Sequence, residues 1–339
     1  MKKEYFPGWL LMAAVAVAAT LLSNLVVVEG KHPLEAAYLA ILLGLILQNS
    51  GLVPRIFQAG IKANEKILIL GIVLLGASLN FKDFGSQGPR ILIIILATMA
   101  VSFIVIFLLA KAFGLTTELS LLLTVGTTIC GTSAIAVTAP LIKAKEEETA
   151  YAIGTITLWG LAAILIYPKI AQLLGATDLV FGVFAGTSIH ATPQVVGAGF
   201  IFSEAAGKTA TAVKLVRNCF IAPLAILVAL WYARLSLKAG LRRDEGRPGS
   251  RAAFLRAFPW FLFGYFLMAG FNSLGFFTAA GVRTLSAAGK YLILTAMAGI
   301  GLNTIFSMFR KVGFKPLIVG LLGAAVVAGA SLGLITLLL

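Results

Sequence analysis

The chain has 339 residues, of which 60% are hydrophobic and 12% are charged, and its mean hydropathy is +1.00. A soluble domain carries about 25% charged residues, so this composition excludes a water-soluble globular protein. The formal net charge of +14 does not by itself indicate nucleic-acid binding, because lysine and arginine concentrate in the cytoplasmic loops of membrane proteins.

Long apolar stretches recur along the chain and predict an all-α, polytopic membrane protein. Gly8–Val28, Ile91–Phe113 and Pro316–Leu339 are each about 20 residues long, the length that crosses about 30 Å of hydrocarbon. About eleven membrane elements are predicted, near residues 8–28, 34–50, 66–81, 90–113, 117–142, 148–172, 177–202, 207–232, 257–274, 287–309 and 315–338. We expect a single integral membrane transporter domain over residues 1–339.

The basic residues predict the orientation. If the N-terminus is inside, lysine and arginine are most frequent in the inside loops, above all in the basic linker 233–256 between elements eight and nine. We therefore expect a multi-pass protein of the inner (plasma) membrane with a cytoplasmic N-terminus. Nothing before Gly8 resembles a cleavable signal, so the first span is expected to remain as an anchor. Cys130 and Cys219 lie in apolar stretches, so no disulfide is expected.

Two internal repeats are visible in the sequence. Residues 117–156 align without a gap on residues 177–216, so that Gly126-Thr127-Thr128-Ile129 matches Gly186-Thr187-Ser188-Ile189. Separately, Lys66 to Asn80 resembles Lys290 to Asn303 with a one-residue slip, and the predicted topology places these two stretches in spans of opposite direction. Repeats of opposite orientation are typical of secondary transporters.

The matched segments 117–142 and 177–202 each have a centre of small and polar residues. Their glycines and Pro193 weaken the helix ladder, which predicts two interrupted helices that meet near the middle of the membrane. Irregular backbone at that depth is tolerated where it is buried or lines a cavity. The alternative is a packing face of small residues. Each segment either crosses fully or folds back as a re-entrant hairpin, and two hairpins would make the repeat inverted.

A half-helix that restarts after a break directs N–H groups and partial positive charge at the cavity. Serine and threonine hydroxyls beside such an end are suited to an oxyanion. The predicted substrate-binding residues at the two centres are Gly126, Thr127, Thr128, Cys130, Gly131, Thr132, Ser133, Gly186, Thr187, Ser188, His190, Thr192 and Gln194.

Three ionisable residues within the spans are further candidates. Lys214 and Arg217 lie three residues apart, on one helical face. A cation inside a span costs about 2.5–3.5 kcal/mol, so we expect an anionic substrate or a buried carboxylate to compensate them; Lys214 could instead reach the interface by snorkelling. His190 is a candidate carrier of a coupling proton, and its alternative is a neutral imidazole bonded to a carbonyl.

The residues give little support for a catalytic, metal or nucleotide site. The run from Lys143 to Glu148 is interpreted as a solvated helix start with acids in the first turn. The sequence contains no metal-ligand cluster, nucleotide-binding glycine loop or Ser/His/Asp set at usable spacing. We therefore expect neither an enzyme nor a metal or cofactor site.

The motifs at the two centres resemble the YeiH-type sulfate exporter family. The resemblance rests on residues 126–135 followed by Ala139-Pro140 and the run 143–148, on residues 188–190 with 194–196, and on Lys214, Arg217, Ala222 and Pro223. It extends from about Ile41 to the C-terminus. The family is grouped with sodium/proton antiporters and bile-acid symporters, which implies inverted repeats and an alternating-access carrier with a panel domain and a mobile core. An acid often follows the histidine in this motif, whereas Ala191 stands here.

The main hypothesis is a secondary active transporter that exports sulfate or a related oxyanion or sulfonate. Its expected partners are a small inorganic or organic anion, a coupling proton or sodium ion, and the lipid bilayer, with a homodimer left open and no nucleic acid. One alternative is a cation/proton antiporter on the same scaffold, although such carriers generally need a carboxylate and the two breaks contain none. The other is a non-transporting membrane sensor or assembly subunit.

Overall fold

The computed structural model describes residues 3–25, 35–80, 87–238, 260–306 and 313–339, and these residues are helical with no strand among them. The α-helices are α1 (Phe6–Leu25), α2 (Ala36–Asn49), α3 (Arg55–Lys62), α4 (Asn64–Leu75), α5 (Gly88–Ala112), α6 (Thr117–Val125), α7 (Thr132–Leu141), α8 (Glu146–Leu173), α9 (Asp178–Ser188), α10 (Thr192–Phe202), α11 (Glu204–Asn218), α12 (Ile221–Lys238), α13 (Phe261–Ser273), α14 (Ala279–Leu302) and α15 (Phe314–Leu338). His32 and most of the linker 233–256 lie outside the described residues.

The all-α, membrane-spanning character predicted from composition is confirmed. Among the described residues, six helical stretches are long and apolar enough to cross a membrane, namely Phe6–Leu25, Gly88–Ala112, Glu146–Leu173, Glu204–Tyr232, Ala279–Leu302 and Phe314–Leu338. Shorter apolar helices accompany them, and the two segments predicted to be interrupted are each divided into two such helices.

Some boundaries differ from the prediction for local reasons. α14 begins at Ala279 rather than near 287, because the Thr278 hydroxyl caps its first turn by accepting the N–H of Gly281 at 3.1 Å. The element predicted at 207–232 runs from Glu204 and is interrupted at 219–220. Pro223 has no N–H for the carbonyl four residues earlier, and the N–H groups of residues 219 and 220 bond three residues back instead.

One compact unit contains the described residues of Met1–Gly88, Val196–Lys208 and Trp260–Ser307. Its helices approach each other backbone to backbone at glycines: a Cβ on Gly44 would lie 2.6 Å from the Ala298 carbonyl oxygen. Gly71 lies against Gly289, while Asn64, earlier in α4, lies against residue 299, later in α14. α4 and α14 therefore run antiparallel, and the predicted resemblance between 66–80 and 290–303 falls on helices of opposite direction.

The second compact unit contains the described residues of Pro89–Val195, Thr209–Pro259 and Met308–Leu339. Within it, the Thr116 hydroxyl at the start of α6 donates to the Glu148 carboxylate at 2.5 Å, just after α7 has ended. A straight crossing of the same segment would separate these ends by more than about 30 Å at 1.5 Å per residue. The segment 117–142 is therefore a re-entrant hairpin, which decides an alternative that the sequence left open.

Glu148 also confirms the interpretation of the run 143–148 as a helix start. Its carboxylate accepts the backbone N–H of Lys145 at 3.1 Å, and α8 begins at Glu146 with three acids in its first turn. These acids complement the partial positive charge of the helix N-terminus. The hairpin and α8 are thereby fastened together at the surface of the unit.

Candidate functional site

Both predicted interruptions exist, but they are narrower than the sequence indicated. In the first, Gly126–Cys130 forms a π-helical turn, and Gly131 alone leaves the helix with φ 72° and ψ −127°. In the second, α9 continues through Ser188 and only residues 189–191 are not helical before α10 begins. The turns on either side of each break keep their backbone hydrogen bonds and remain helical.

The two breaks meet. A Cβ placed on Gly131 would lie 3.3 Å from the Cβ of Ala191 and 3.3 Å from Ile156. The positive φ and this close contact both require glycine at 131. α6 and its π-turn together cover 14 residues, so the break lies about 20 Å from the start of the hairpin, well inside a membrane about 30 Å thick.

Lys214 joins the two breaks. Its side chain is fully buried, and its ammonium donates to the Ile129 carbonyl at 2.7 Å, to the Ile189 carbonyl at 3.0 Å and to the His190 carbonyl. All three ammonium hydrogens can thus be satisfied by backbone oxygens of the two broken helices. Lys214 does not snorkel to the interface, which removes that alternative.

Arg217 makes a second set of bonds to the same two helices. Its Nε donates to the Thr128 carbonyl at 2.7 Å and its Nη2 to the Thr127 carbonyl at 2.7 Å, both on the first hairpin. Its Nη1 donates to carbonyls of the second segment, that of Thr187 being the nearest at 2.7 Å. The guanidinium is 1% exposed. Lys214 and Arg217 together form what we call the cation clamp.

The cation clamp leaves a net positive charge at the crossing, the place where the two broken helices meet. The C-terminal ends of α9 and of the α6 π-turn each carry about half a negative charge, which offsets only about one of the two cations. α7 and α10 start at the same place and add partial positive charge at their N-termini. No aspartate or glutamate is buried among the described residues, and neither cation forms an ion pair within them. The potential at the crossing therefore favours an anion over a cation.

The hydroxyls near the breaks are largely occupied by their own helices. The hydroxyls of Thr128, Thr187 and Ser188 donate to carbonyls four residues earlier at 2.7 Å, and Thr187 also contacts the Ser331 hydroxyl of α15 at 2.6 Å. These groups therefore stabilise the ends of the first half-helices. The predicted wrapping of an oxyanion by these three hydroxyls is not the arrangement that the structure shows.

Gln194 holds the second break from the side of α8. Its Oε1 accepts the N–H of Ala191 at 3.0 Å, and its Nε2 donates to the Thr157 carbonyl at 3.4 Å. The amide lies directly on Gly160, where a Cβ would come within 1.9 Å of Oε1. Gly160 thus leaves the space that Gln194 needs, a relationship that the sequence did not reveal.

Several buried polar atoms at the crossing have no hydrogen-bond partner in the described part of the chain. Both ring nitrogens of His190 are in this group, and its side chain is 1% exposed. So are the Thr127 hydroxyl and the Oδ1 of Asn218, whose Nδ2 donates to Thr192 at the start of α10. The alternative in which the His190 imidazole bonds a backbone carbonyl is therefore not observed. Unpaired buried polar atoms are costly and indicate water or a ligand beside them.

The structure thus brings most of the predicted residues together. Thr127, Thr128, Gly186, Thr187 and His190 supply carbonyls to the clamp, and Gly131 and Gln194 shape the breaks. Gly126 and Cys130 are buried in the π-turn, and Thr132 begins α7. Ser133 is exposed and has no part in the clamp.

Asn218 is the polar side chain that the sequence reasoning missed. It follows Lys214 by four residues and so lies on the same helical face as Lys214, a pattern that could have identified it. The carbonyls of Ile129 and Ile189 could not be identified in this way, because a backbone oxygen carries no sequence signal.

The sequence is similar to a family of membrane proteins. The family model described as Conserved hypothetical protein 698 matches residues 7–320. A UPF0324 membrane protein of Bacillus cereus is 34% identical over 311 residues, which cover 91% of this chain and 88% of that protein. A UPF0324 membrane protein of Pseudomonas aeruginosa is 35% identical over 331 residues, covering 94% and 90%.

A solved structure was also matched, that of a sodium proton antiporter from Methanocaldococcus jannaschii. The match covers 98% of this chain and 99% of that chain at 13% identity, with a TM-score of 0.29. A TM-score this low carries no argument about fold or activity.

Proposed function

We infer that this chain, which belongs to the Conserved hypothetical protein 698 family of membrane proteins, is a secondary active transporter for a small anion. One observation carries the proposal: two fully buried cations stand where two broken helices cross, and no carboxylate is buried among the described residues. A cation carrier would need an acid at this place, whereas an anion would offset the remaining positive charge.

Helix lengths support an inverted pair of hairpins. The Tyr232 hydroxyl donates to the Glu118 carboxylate, so the end of α12 and the start of α6 lie at one level. Because the stretch Glu204–Tyr232 is long enough to cross the membrane, Glu204 would lie on the opposite side. α8, with 28 residues, would bring the start of α9 to that same opposite side. The segment 177–202 would then enter opposite to the hairpin 117–142, an arrangement found in many secondary transporters.

Sulfate, or a related oxyanion or sulfonate, is the proposed cargo, and export from the cytoplasm is the proposed direction. N–H groups at the starts of α7 and α10 suit an oxyanion, as helix N-termini bind such groups elsewhere. With the N-terminus in the cytoplasm, the hairpin 117–142 and the basic linker 233–256 would face the cytoplasmic side of the inner membrane. His190, or a sodium ion, would supply the coupling.

Counterflow in liposomes tests the proposal. Purified protein reconstituted with internal unlabelled sulfate is expected to accumulate external radiolabelled sulfate, and liposomes without protein are not. The same vesicles, loaded with a pH-sensitive dye, report proton movement driven by a sodium gradient. Sodium-driven proton flux without any exchange of sulfate, thiosulfate or sulfonates would overturn the anion carrier in favour of a cation/proton antiporter.

A thermal-shift series separates binding from transport. A ligand that binds the native state stabilises it in proportion to ln(1 + [L]/Kd), so a bound oxyanion raises the melting temperature as its concentration rises. Chloride at equal ionic strength is the control for salt effects. If no oxyanion raises the melting temperature and none is exchanged in liposomes, the result would indicate the non-transporting alternative.

A further inference from the structure

A groove outside the cation clamp lies along α5, α6 and α12 in the second compact unit. Its volume is about 320 Å³, and every side chain that lines it is apolar. Leu121 of α6 forms the floor and is 1% exposed, whereas Ile104 of α5 and Leu227 of α12 stand at the rim and are 60% and 61% exposed. The groove therefore has a closed base and an open, wholly apolar mouth.

One end of the groove carries the features of a membrane interface. The rings of Phe107 and Trp231 meet edge to face there, with centroids 5.6 Å apart. The Tyr232 hydroxyl reaches the Glu118 carboxylate at the start of α6. Trp and Tyr are enriched where membrane and water meet, so this end lies at the level of the lipid headgroups and the rest of the groove extends into the hydrocarbon.

Two cations stand just beyond this aromatic pair. Lys111 follows Phe107 by one helical turn, and Arg234 follows Trp231 by one turn, and both are exposed. The Lys111 ammonium lies 3.3 Å from both the Leu115 carbonyl and the Thr117 hydroxyl, so it is held near the start of α6. The guanidinium of Arg234 has no hydrogen bond or ion pair within the described ranges. Glu118 and Glu148 are acids near the start of α6, and they accept hydrogen bonds from the Tyr232 and Thr116 hydroxyls respectively.

We propose that the groove binds an anionic phospholipid, with an acyl chain against Leu121 and the headgroup phosphate against Lys111 and Arg234. An acyl chain fits a wholly apolar groove that opens towards the bilayer. Basic side chains near the surface attract anionic headgroups, and here the two carboxylates near the start of α6 already accept hydrogen bonds from hydroxyl groups. The chemistry therefore indicates a lipid with a net negative headgroup rather than a zwitterionic one.

Such a lipid would contact both elements that lead to the cation clamp. α6 continues directly into the π-turn that supplies the Thr127 and Thr128 carbonyls, and α12 follows α11, which carries Arg217. A lipid that fills the groove therefore packs against the supports of the clamp, and we expect it to raise the melting temperature of the protein.

Lipid titration tests the headgroup contact. Full-length protein in detergent is titrated with phosphatidylglycerol or phosphatidylcholine of identical chains, and bound lipid is counted by native mass spectrometry. The parent is expected to bind phosphatidylglycerol more tightly. Lys111→Gln and Arg234→Gln should each weaken that binding about fivefold and leave phosphatidylcholine unchanged. Lys315→Gln, an exposed lysine at the start of α15, is the matched control. A double variant that keeps the full preference overturns the proposal.

Filling the groove with a larger side chain tests whether an acyl chain binds there. Leu227→Trp places a large ring at the exposed rim and is expected to weaken both lipids several-fold. Leu96→Trp, at a 42% exposed position of α5 outside the groove, should leave both unchanged. Equal lipid binding in the two tryptophan variants overturns the proposal. So does a change of oligomeric mass in Leu227→Trp with lipid binding unchanged, because that result assigns the groove to a second copy of the chain.

Discussion

The ammonium of Lys214 lies 2.7 Å from the carbonyl oxygen of Ile129, a residue 85 positions earlier in the chain. The same ammonium donates to Ile189, so one charge closes the ends of two helices from separate segments. A buried cation is expensive in a membrane, and carbonyl oxygens at helix C-termini offset part of that cost. The hydrogen bonds of the cation clamp therefore hold the two broken helices together. Its remaining positive charge attracts an anion to the place where the helices meet.

The first prediction concerns Arg217. Arg217→Gln removes the charge and leaves the carbonyls of Thr127 and Thr128 without their donors, at about 1–3 kcal/mol for each unpaired buried group. We expect a lower melting temperature as well as weaker anion binding, whereas Arg217→Lys, which keeps the charge, should retain more of the binding. Arg283→Gln, at an exposed position of α14, is the control. A variant Arg217→Gln that melts like the parent would contradict the bonding described above.

The second prediction concerns Gly131. Gly131→Ala forces a side chain into a backbone region that non-glycine residues avoid, at a cost of about 1–3 kcal/mol, and presses its Cβ against Ala191. Heating curves in detergent should show a loss of stability, and anion affinity should fall because the two breaks separate. Gly333→Ala, which meets nothing within 4 Å in α15, should be nearly neutral. If the two variants behave alike, close contact between the breaks is not required.

The third prediction is a double-mutant cycle between Gly160 and Gln194. Gly160→Ala alone collides with the amide of Gln194 and should destabilise the protein by releasing the N–H of Ala191. In the background of Gln194→Ala the collision is absent, so the same change should cost little. Contacting residues usually couple by about 0.5–3 kcal/mol. Additive changes in the free energy of unfolding would show that Gln194 does not rest on Gly160.

The fourth prediction concerns His190 and pH. A protonated imidazole beside the N-terminus of α10 adds positive charge where an anion is proposed to bind, and loss of the proton removes it. Anion affinity should therefore fall as pH rises through the imidazole pKa. His190→Gln cannot titrate, so its affinity profile should be flat wherever that of the parent falls with pH. His32→Gln, at the other histidine, is the control. Parallel profiles for parent and His190→Gln would make His190 a packing residue.

Much of the fold could be predicted because hydropathy is a local property. Stretches of about 20 apolar residues identify membrane helices without any knowledge of their neighbours, and the prediction of helices over 90–113 and 315–338 agrees closely with α5 and α15. Glycine and proline weaken a helix wherever they stand, so the breaks at Gly131 and before Pro193 were also visible in the sequence.

The sequence by itself determined that the chain is an all-α membrane protein with two interrupted segments and two cations on one helical face. Only the tertiary structure decided that the segment 117–142 folds back, that the clamp donates to carbonyls, and that Gln194 lies on Gly160. Composition indicates which segments suit the hydrocarbon core of a membrane, but it does not indicate on which side of the membrane a segment ends. The partners of Lys214 and Arg217 are backbone oxygens, which every residue possesses, so only folding selects the few that these cations reach.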